Sequence, residues 1–588
     1  MKCINYCKSR SIDMEKIDSI GIVGGGPAAL FVVKHLISEN IYPQTLYIFE
    51  KSARIGAGMP YSQEGAAREH VANVSANELP DLPENFSTFI QRKPYPQHPD
   101  FSNYHNINEY KVIPRLILGD YLEEQFKILL NTARKMGVTV KVFTETIVTD
   151  VRKKDQFFEI ITNENLIYEC SATVICTGHH WPKKFEGNTK SWYDSPYPPS
   201  KFSNATNYPI AIRGTSLTAV DAIKTLARLN GTFSEKGDEM TYTLNEKSSN
   251  FSLTLFSKRG YLPALRFHSE GSAFSEGWIM SQEEIYEYKE KNGGFVDLNY
   301  VFERNFKQPL RKKNEKFYNE IKNLTIEQFV EKMLSLREEL DSFELFKAEY
   351  YEAQKSIERH QTIAWKETLA AFSYAINYPA KHFSAEDMIR MKKTLLPLIS
   401  VIIASLPQSS YREIIALYNQ GLISLVSVDD ESHVEPHQEE GAIYHYTDHH
   451  TGDERSDYFR MYIDAVGQQP VQFNDIPFKT LREDGLISSG YLKFKDTNTG
   501  KLQFEEDSRK ILKVDSENYY LRVDGLNIND HFQALDSYGK ATENLFIMAV
   551  PYIAGLNPDY SGLDFCDTAG KRVATSLKSG IIADKIVS

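Results

Sequence analysis

The stretch SIGIVGGGPAALFVVKHL, residues 19–36, decides the fold of this chain. A short β-branched run, IGIV, precedes a glycine-rich turn, and apolar residues then recur at intervals of three and four. This order predicts a buried strand, a tight turn and a helix. In such a turn Gly24 permits the tight bend, Gly26 lets a phosphate approach the backbone, and Ala29 lets helix and strand pack closely. We therefore expect a dinucleotide at the helix N-terminus, contacted by Gly24, Gly26, Pro27 and Ala29.

The next predicted strand, TLYIF, leads into Glu50. In units of this type, an acidic residue about 20 residues after the glycine motif accepts hydrogen bonds from the ribose hydroxyls. Glu50 is therefore a candidate ribose ligand. The chemistry of the turn suits FAD and NAD equally, so the spacing does not decide between the two.

Composition and charge argue against several classes of protein. The chain has 588 residues and a formal charge of -12, which disfavours nucleic acid or an anionic membrane as partner. Its longest apolar run, LLPLISVIIASLP, is shorter than the about 20 residues that span a bilayer. The N-terminus has no secretory apolar stretch, so we expect a cytoplasmic protein. The scattered cysteines form neither a disulfide framework nor a CxxC pair, which disfavours a dithiol reductase; they are Cys3, Cys7, Cys170, Cys176 and Cys566.

The glycine turn and its flanking strands occur twice. The segment IGIVGGGPAA from Ile20 is echoed by IAIRGTSLTAV from Ile210, and TVICTGHHWP from Thr173 is echoed by YIDAVGQQPV from Tyr462. Between about residues 273 and 420 the pattern changes to long amphipathic helices. The sequence therefore predicts an α/β fold with two Rossmann-like dinucleotide-binding domains and a helical insertion.

Further segments resemble the two-dinucleotide-binding flavoproteins, and they occur in the same order: KSARIGAGMPYS, IPRLILGDYLEE, ATVICTGH and NLFIMA. The chain from Ile20 to Arg266, and again after about Tyr418, is similar to the bacterial FAD-NAD(P)-binding family of the YdhS type. The helical insertion lies outside this resemblance.

The resemblance implies that the first unit holds FAD and the second holds NAD(P). It adds Thr177 and Gly178 to the FAD contacts. It also brings backbone N–H groups at Gly562, Leu563 and Asp564 to the carbonyl edge of the flavin. The implied parts are the first part of the FAD-binding domain (16–205), the first part of the NAD(P)-binding domain (206–272), the helical insertion as lid or substrate domain (273–420), the return of the NAD(P)-binding domain (421–505) and the C-terminal part of the FAD-binding domain (506–588).

The second turn, GTSLTAVD from Gly214, matches the family's GxGLTxxD form with Ser216 in place of the second glycine. A serine Cβ can crowd the pyrophosphate, so occupation of this site stays open. The following strand delivers Ser257, Lys258 and Arg259, similar to an SRRGLLP-type segment of the family. A hydroxyl and two cations suit a 2′-phosphate, which favours NADPH over NADH. The alternative is a pair of ordinary surface cations.

The segment EHVANVSANELPDLPENF from Glu69 resembles the TNxSKEM-type segment of flavin-containing monooxygenases. The resemblance places Asn73 beside the flavin as a catalytic residue. A carboxamide donates to a peroxide oxygen without supplying an acidic proton. The alternative is that Asn73 and Asn77 cap turns in a polar loop.

Arg115 lies in a segment similar to the RxxxxxYL stretch of N-hydroxylating flavin monooxygenases. It is a candidate contact for FAD or for an acidic substrate, and the alternative is a structural ion pair.

These resemblances imply a monooxygenase in which NADPH reduces FAD, molecular oxygen forms a flavin hydroperoxide, and a small amine or amino acid is oxidised. One alternative is a flavin reductase or dehydrogenase that does not use oxygen. Another is a flavin-binding sensor whose second site is degenerate. The insertion then serves as a lid, as a homodimer surface or as extra core.

No metal site is expected. Five histidines cluster in a polar stretch that reads as loop, without the spacing of a zinc site; they are His433, His437, His445, His449 and His450. Cys566 is expected near the flavin as a small buried residue.

Overall fold

A computed structural model describes residues 18–102, 107–179, 181–237, 239–270, 279–448, 451–558 and 561–587 of the chain. The predictions for Cys3, Cys7, His449 and His450 lie outside these residues.

The strands follow one another along the chain as β1 (Ser19–Val23), β2 (Thr45–Phe49), β3 (Val71–Ser75), β4 (Val112–Pro114), β5 (Thr139–Phe143), β6 (Val148–Lys154), β7 (Phe157–Thr162), β8 (Ile167–Cys170), β9 (Ala172–Ile175), β10 (Trp192–Tyr193), β11 (Pro209–Arg213), β12 (Gly231–Lys236), β13 (Glu239–Leu244), β14 (Ser252–Ser257), β15 (Ile423–Ser427), β16 (His433–Pro436), β17 (Ala442–Thr447), β18 (Glu454–Phe459), β19 (Met461–Asp464), β20 (Ser489–Lys493), β21 (Ile511–Lys513), β22 (Tyr519–Leu526), β23 (Gln533–Leu535) and β24 (Ala541–Ile547).

The α-helices are α1 (Pro27–Ser38), α2 (Phe86–Arg92), α3 (Arg115–Lys135), α4 (Leu217–Asn230), α5 (Gln282–Lys291), α6 (Leu298–Phe302), α7 (Gln308–Lys313), α8 (Glu315–Ile321), α9 (Ile326–Glu339), α10 (Ser342–Glu358), α11 (Ala364–Ile376), α12 (Ala385–Arg390), α13 (Leu396–Ile403), α14 (Gln408–Asn419), α15 (Lys479–Glu483), α16 (Thr497–Glu506), α17 (Val550–Ile553) and α18 (Gly562–Val587).

The first nucleotide unit is a sheet in the order β23-β24-β9-β1-β2-β5. Strands β24, β9, β1, β2 and β5 are parallel, and β23 pairs antiparallel at the edge. Strand β1 is almost wholly buried, as its apolar run IGIV predicts for a parallel sheet covered on both faces. An antiparallel three-stranded sheet, β6-β7-β8, is inserted between β5 and β9.

The second unit repeats this order as β10-β19-β11-β14-β15, again with parallel pairing. A second antiparallel three-stranded sheet, β16-β17-β18, is inserted between β15 and β19. Thus β9-β1-β2-β5 of the first unit corresponds to β19-β11-β14-β15 of the second. The predicted pair of Rossmann-like units is confirmed, and the sheets show that the repeat extends to the inserted antiparallel strands.

The helices α5 to α13 pack mainly on the core of the first unit, and α10 and α14 add residues to the core of the second. Phe302, Phe306 and Phe372 form an aromatic centre in these helices. The sheet β20-β22-β21 extends over residues 489–526, on both sides of the domain bound predicted at 505 and 506. The domain bounds themselves stay a prediction.

Candidate functional site

The first glycine turn has the geometry of a phosphate cradle. Gly24 has a φ of +100°, and an added Cβ would lie 2.6 Å from the carbonyl oxygen of Cys176, so only glycine fits there. Gly26 forms the N-cap of α1 without a side-chain cap, with Pro27 in the first turn and Ala29 buried. The N–H groups of this first turn are therefore available to a ligand.

Glu50 is buried directly behind this turn. One carboxylate oxygen accepts from the Gly25 N–H at 2.8 Å, and the other accepts from the Ser52 N–H at 2.7 Å. A carboxylate has about four acceptor positions, so these two bonds leave capacity for hydroxyl donors. The arrangement fits the predicted ribose ligand, although no ligand is needed to hold the Glu50 side chain in place.

The segment after Glu50 closes this cradle from the other side. The Gly56 N–H donates to the Gly25 carbonyl at 2.7 Å, and a Cβ added to Gly26 would lie 3.4 Å from the Cα of Gly58. Two glycine-containing segments therefore approach each other without intervening side chains. The residues of the first unit fit the phosphates of a dinucleotide.

The second turn repeats the first in detail. Gly214 has a φ of +112°, and its added Cβ would lie 2.8 Å from the Ala465 carbonyl oxygen. Ser216, with φ -80° and ψ -169°, has nearly the dihedrals of Gly26, φ -79° and ψ -163°. Any L-residue adopts this conformation, so serine keeps the shape of the turn. Its exposed hydroxyl makes no cap bond to α4.

A cleft of about 380 Å³ opens at this second turn. That volume lies in the range of small-molecule sites. The lining residues come from the turn and from the carboxyl ends of β14, β15 and β19, with Tyr444 of β17 stacked on Phe256 at 3.9 Å. The cleft lies at the strand ends where open α/β sheets bind their ligands.

The predicted 2′-phosphate ligands lie at one side of this cleft. Ser257 and Lys258 line it, and Lys258 donates to the Asp430 carboxylate at 2.9 Å in an exposed ion pair. Arg259 is exposed in the turn that follows β14. A phosphate would therefore compete with Asp430 for Lys258.

Arg115 makes a buried ion pair between the two units. Its guanidinium donates to the Asp221 carboxylate at 2.6 Å, and to the Val71 carbonyl at 3.1 Å. The Tyr197 hydroxyl donates to the same Asp221 oxygen at 2.6 Å. Burial alone would lower the pKa of Arg115, but Asp221 and Tyr197 raise it above its usual value. This is the geometry of the ion pair that the sequence left open as an alternative role.

His70 adds a second contact between the units. The Ala67 N–H donates to Nδ1 at 3.1 Å, so the proton lies on Nε2, which reaches Thr225 Oγ1 at 3.0 Å and the Asp221 carbonyl at 3.2 Å. Burial lowers the pKa of His70, which is 1% exposed. The imidazole is therefore a neutral, fully bonded part of the contact.

Asn73 lies on strand β3 and is held by Arg266. The guanidinium donates to Oδ1 at 3.1 Å and to the backbone carbonyl of Asn73 at 3.0 Å, while Nδ2 donates to the Ile403 carbonyl at 3.4 Å. Arg266 also donates to the Glu78 carboxylate at 2.5 Å. Asn73 shares a small cavity of about 10 Å³ with Arg115 of the first unit and residues of α4. It is part of a strand, and does not cap a turn.

The closing helix α18 places its first turn under the helical insertion. Gly562, Leu563 and Asp564 form that turn, and the hydroxyl of Tyr374, from α11, donates to the Asp564 carbonyl at 3.4 Å. Burial and the neighbouring Glu78 raise the pKa of the Asp564 carboxyl to about 7. Thr177 and Gly178 follow β9, half-buried and exposed respectively.

The described cysteines are buried and carry no thiolate character. Burial raises the pKa of Cys170 and of Cys566 to about 12, and it raises that of Cys176 as well. Thiolate chemistry at these positions is therefore disfavoured.

Several residues of this site were missed by sequence reasoning. Asp221 is the last residue of the second glycine motif, and Glu78 forms a capping box with Ser75. Both residues could therefore have been found from the local sequence. Arg266 had none, because its partner Glu78 lies 188 residues away along the chain.

The fold and the two glycine turns define a protein with two dinucleotide-binding units. Residues 21–180 match the family described as FAD-NAD(P)-binding, and residues 281–403 match the YdhS-like middle domain. The predicted resemblance to the YdhS-type family is thereby confirmed, as are FAD and NAD(P) as its cofactors. The middle-domain match covers α5 to α13, the helical insertion for which the sequence offered no resemblance.

Individual proteins are also similar to this chain. The uncharacterized protein YdhS of Escherichia coli (strain K12) is 25% identical over 473 residues, which cover 79% of this chain and 86% of YdhS. Among solved structures, the ornithine N-hydroxylase of Kutzneria sp. 744 with reduced FAD, NADP+ and L-ornithine is 12% identical, with a TM-score of 0.48 and coverage of 96% of this chain and 99% of that chain. The ornithine hydroxylase PvdA of Pseudomonas aeruginosa is 10% identical, with a TM-score of 0.48 and coverage of 96% and 98%.

The histidine cluster differs from its prediction as loop. His433 and His445 lie on β16 and β17, where their rings stack at 4.7 Å. Among the described residues, no group of three or more His, Cys, Asp or Glu side chains is arranged to hold a metal ion. No helix within the described ranges combines the length and apolar character needed to cross a bilayer.

Proposed function

We propose that this chain is an FAD-dependent, NADPH-using monooxygenase that acts on a small amine or amino-acid-like metabolite. The observation that carries the proposal is the fixed carboxamide of Asn73. Because a guanidinium only donates, the atom that faces Arg266 is Oδ1. The Nδ2 group therefore points away from Arg266, and among the described residues it makes a long 3.4 Å bond to the Ile403 carbonyl. It is a donor available to a nearby oxygen atom.

Each part of the chain has a role in this proposal. FAD, when bound, supplies hydride acceptance and the reaction with oxygen. The first turn and Glu50 hold it, and the second cleft presents the nicotinamide dinucleotide. Arg266 and Glu78 fix the Asn73 carboxamide, whose Nδ2–H group stabilises negative charge that develops on oxygen. The helical insertion, which covers the first turn of α18, excludes water.

The experiment compares two conservative variants of one segment. Asn73→Asp keeps an oxygen for Arg266 but removes the Nδ2 donor. Asn77→Asp makes the same change four residues away, where the amide donates to the Ser269 carbonyl at 2.9 Å and accepts from the Ser75 hydroxyl at 2.8 Å. We expect Asn73→Asp to release about tenfold more hydrogen peroxide per NADPH consumed than the wild type. The reason is that the loss of one donor to a developing oxyanion lowers the rate of the productive step by at least that factor. Asn77→Asp should match the wild type.

The readouts are flavin bleaching by NADPH under nitrogen, oxygen uptake, and hydrogen peroxide yield with candidate amines. Equal peroxide yields in the two variants would contradict the role of Asn73. Bleaching without substrate-dependent oxygen uptake would indicate a reductase or dehydrogenase. A flavin that neither NADPH nor NADH bleaches would indicate a sensor.

A further inference from the structure

The matched registers of the two units allow a comparison position by position. Val23 pairs with Phe49 on β2 and with Ile175 on β9. Arg213 pairs with Phe256 on β14 and with Asp464 on β19. The Gly24 N–H donates to the Phe49 carbonyl, and the Gly214 N–H donates to the Phe256 carbonyl, both at 2.8 Å. Arg213 is therefore the counterpart of Val23.

The same register identifies the counterpart of Glu50. Glu50 directly follows Phe49, and Ser257 directly follows Phe256. The second unit has the cation of Arg213 where the first has the apolar Val23, and it has the hydroxyl of Ser257 where the first has the carboxylate of Glu50. Both changes add positive charge to the lining of the second cleft, while Asp464, which takes the place of Ile175, adds a carboxylate beside Arg213 but outside the lining.

Charged side chains of one sign line this cleft. Of the lining residues in the described part of the chain, those that carry charge are Arg213 and Lys258. Their carboxylate partners, Asp464 and Asp430, are not among the lining residues. The contact from Arg213 to Asp464 is long, 3.4 Å, and the Arg213 side chain is 37% exposed. A phosphate can replace such a partner at little cost.

We propose that Arg213 binds the pyrophosphate of the nicotinamide dinucleotide. Arg213 directly precedes the Gly214 turn, and it lines the same cleft as Ser216 at the start of α4 and Thr218 in its first turn. The N-cap of the first helix is Gly26 in the first unit, and in the second unit Ser216 adds a Cβ at the equivalent position. The guanidinium supplies bidentate contacts to phosphate oxygens from the side of the cleft, where Ser216 does not obstruct them.

Lys258 then binds a different part of the nucleotide. It follows Ser257, at the place where the first unit has its ribose carboxylate, so it lies at the adenosine ribose and takes the 2′-phosphate. Arg213 should therefore contribute to the binding of both NADPH and NADH, and Lys258 to the binding of NADPH alone. The inference rests on NAD(P) binding at the second unit, and it is independent of whether oxygen is the electron acceptor.

The test measures binding of NADP+ and of NAD+ to the FAD-loaded protein by titration calorimetry. Arg213→Met removes the charge with little change of volume, and we expect both nucleotides to bind about ten- to a hundredfold more weakly. Lys258→Met should weaken NADP+ alone. Arg213→Lys should keep part of the affinity for both. The matched control is Arg460→Met, which removes an arginine of the same unit that stacks on Tyr208 outside the cleft.

Each outcome has a definite meaning. Wild-type affinity of Arg213→Met for both nucleotides, with unchanged FAD content, would overturn the proposal. Loss of NADP+ affinity alone would assign Arg213 to the 2′-phosphate and would also overturn it. Loss in Arg460→Met equal to that in Arg213→Met would show a general charge effect. If the wild type binds nucleotide but takes up no oxygen, the proposed monooxygenase fails and the assignment of Arg213 stands.

Discussion

Among single residues, Asp564 differs from its acidic neighbours, since no cation pairs with it in the described part of the chain. Glu78 is paired with Arg266, and Asp567 with Lys34 at 2.6 Å. Within the described residues no Lys, Arg or His nitrogen lies within 4.0 Å of the Asp564 carboxylate, and burial raises its pKa to about 7. Tyr61 and Tyr374 also face it, without charge at neutral pH. Asp564 thus holds a proton up to near-neutral pH.

This proton makes the stability of the wild type depend on pH. Between pH 4 and about 7 the folded carboxyl keeps a proton that the unfolded chain has lost, so the free energy of unfolding falls as pH rises through this window. Asp564→Asn does not titrate, so we expect its stability relative to the wild type to rise with pH by at most about 1.4 kcal/mol per unit. Urea unfolding of the FAD-loaded protein from pH 5 to 8 measures this.

Asp567→Asn is the control for that measurement, three residues further along the same helix. Burial alone would raise the pKa of Asp567, but the contacts with His35 and Lys34 lower it. This carboxylate therefore stabilises the folded protein at pH values above its pKa in the unfolded chain. Its replacement should destabilise the protein throughout pH 5 to 8. If the unfolding free energies of the Asp564→Asn variant and the wild type changed in parallel with pH, the Asp564 carboxyl would not hold the proton assigned to it.

At the scale of elements, the strand, turn and helix of each unit depend on one glycine each. Gly24→Ala and Gly214→Ala would place a Cβ 2.6 Å and 2.8 Å from a carbonyl oxygen at a positive φ. We expect each to lose at least about 1 to 2 kcal/mol of unfolding free energy. Gly26→Ala, at φ -79°, should keep nearly full stability but bind FAD more weakly. Urea unfolding and FAD content distinguish the two effects, and a fully stable Gly24→Ala would contradict the strain.

These turns were predictable from sequence because their signals are local. The apolar period changes from strand to helix within the quoted stretch, and the glycines stand where the chain must bend. Strand β16, which carries His433, was not predictable from sequence, because it is short and polar and none of its residues is fully buried. The insertion was recognisable as helical, but its packing on both units depends on distant contacts such as Phe343 on Tyr418 at 4.0 Å.

Across the whole molecule, the two nucleotide units are held in one orientation by a buried polar contact. Arg115 starts α3 of the first unit, and Asp221 lies in α4 of the second, directly after the glycine turn that forms the nucleotide cleft. Tyr197, from the segment that joins the units, donates to the same carboxylate. Asp221 therefore joins the two nucleotide units through its carboxylate, which binds Arg115 and Tyr197, and through its backbone carbonyl, which contacts His70.

Removing one partner of this contact should be more harmful than removing both. Asp221→Leu leaves the Arg115 guanidinium buried without its carboxylate, and we expect a loss of about 3 to 5 kcal/mol of unfolding free energy. The double variant Arg115→Met/Asp221→Leu replaces the pair by apolar side chains and should recover most of that loss. Urea unfolding measures both. A double variant as unstable as the single one would contradict a purely structural pair. A double variant that regains stability but not FAD binding would instead show that Arg115 also contacts the cofactor, which is one of the roles the sequence left open.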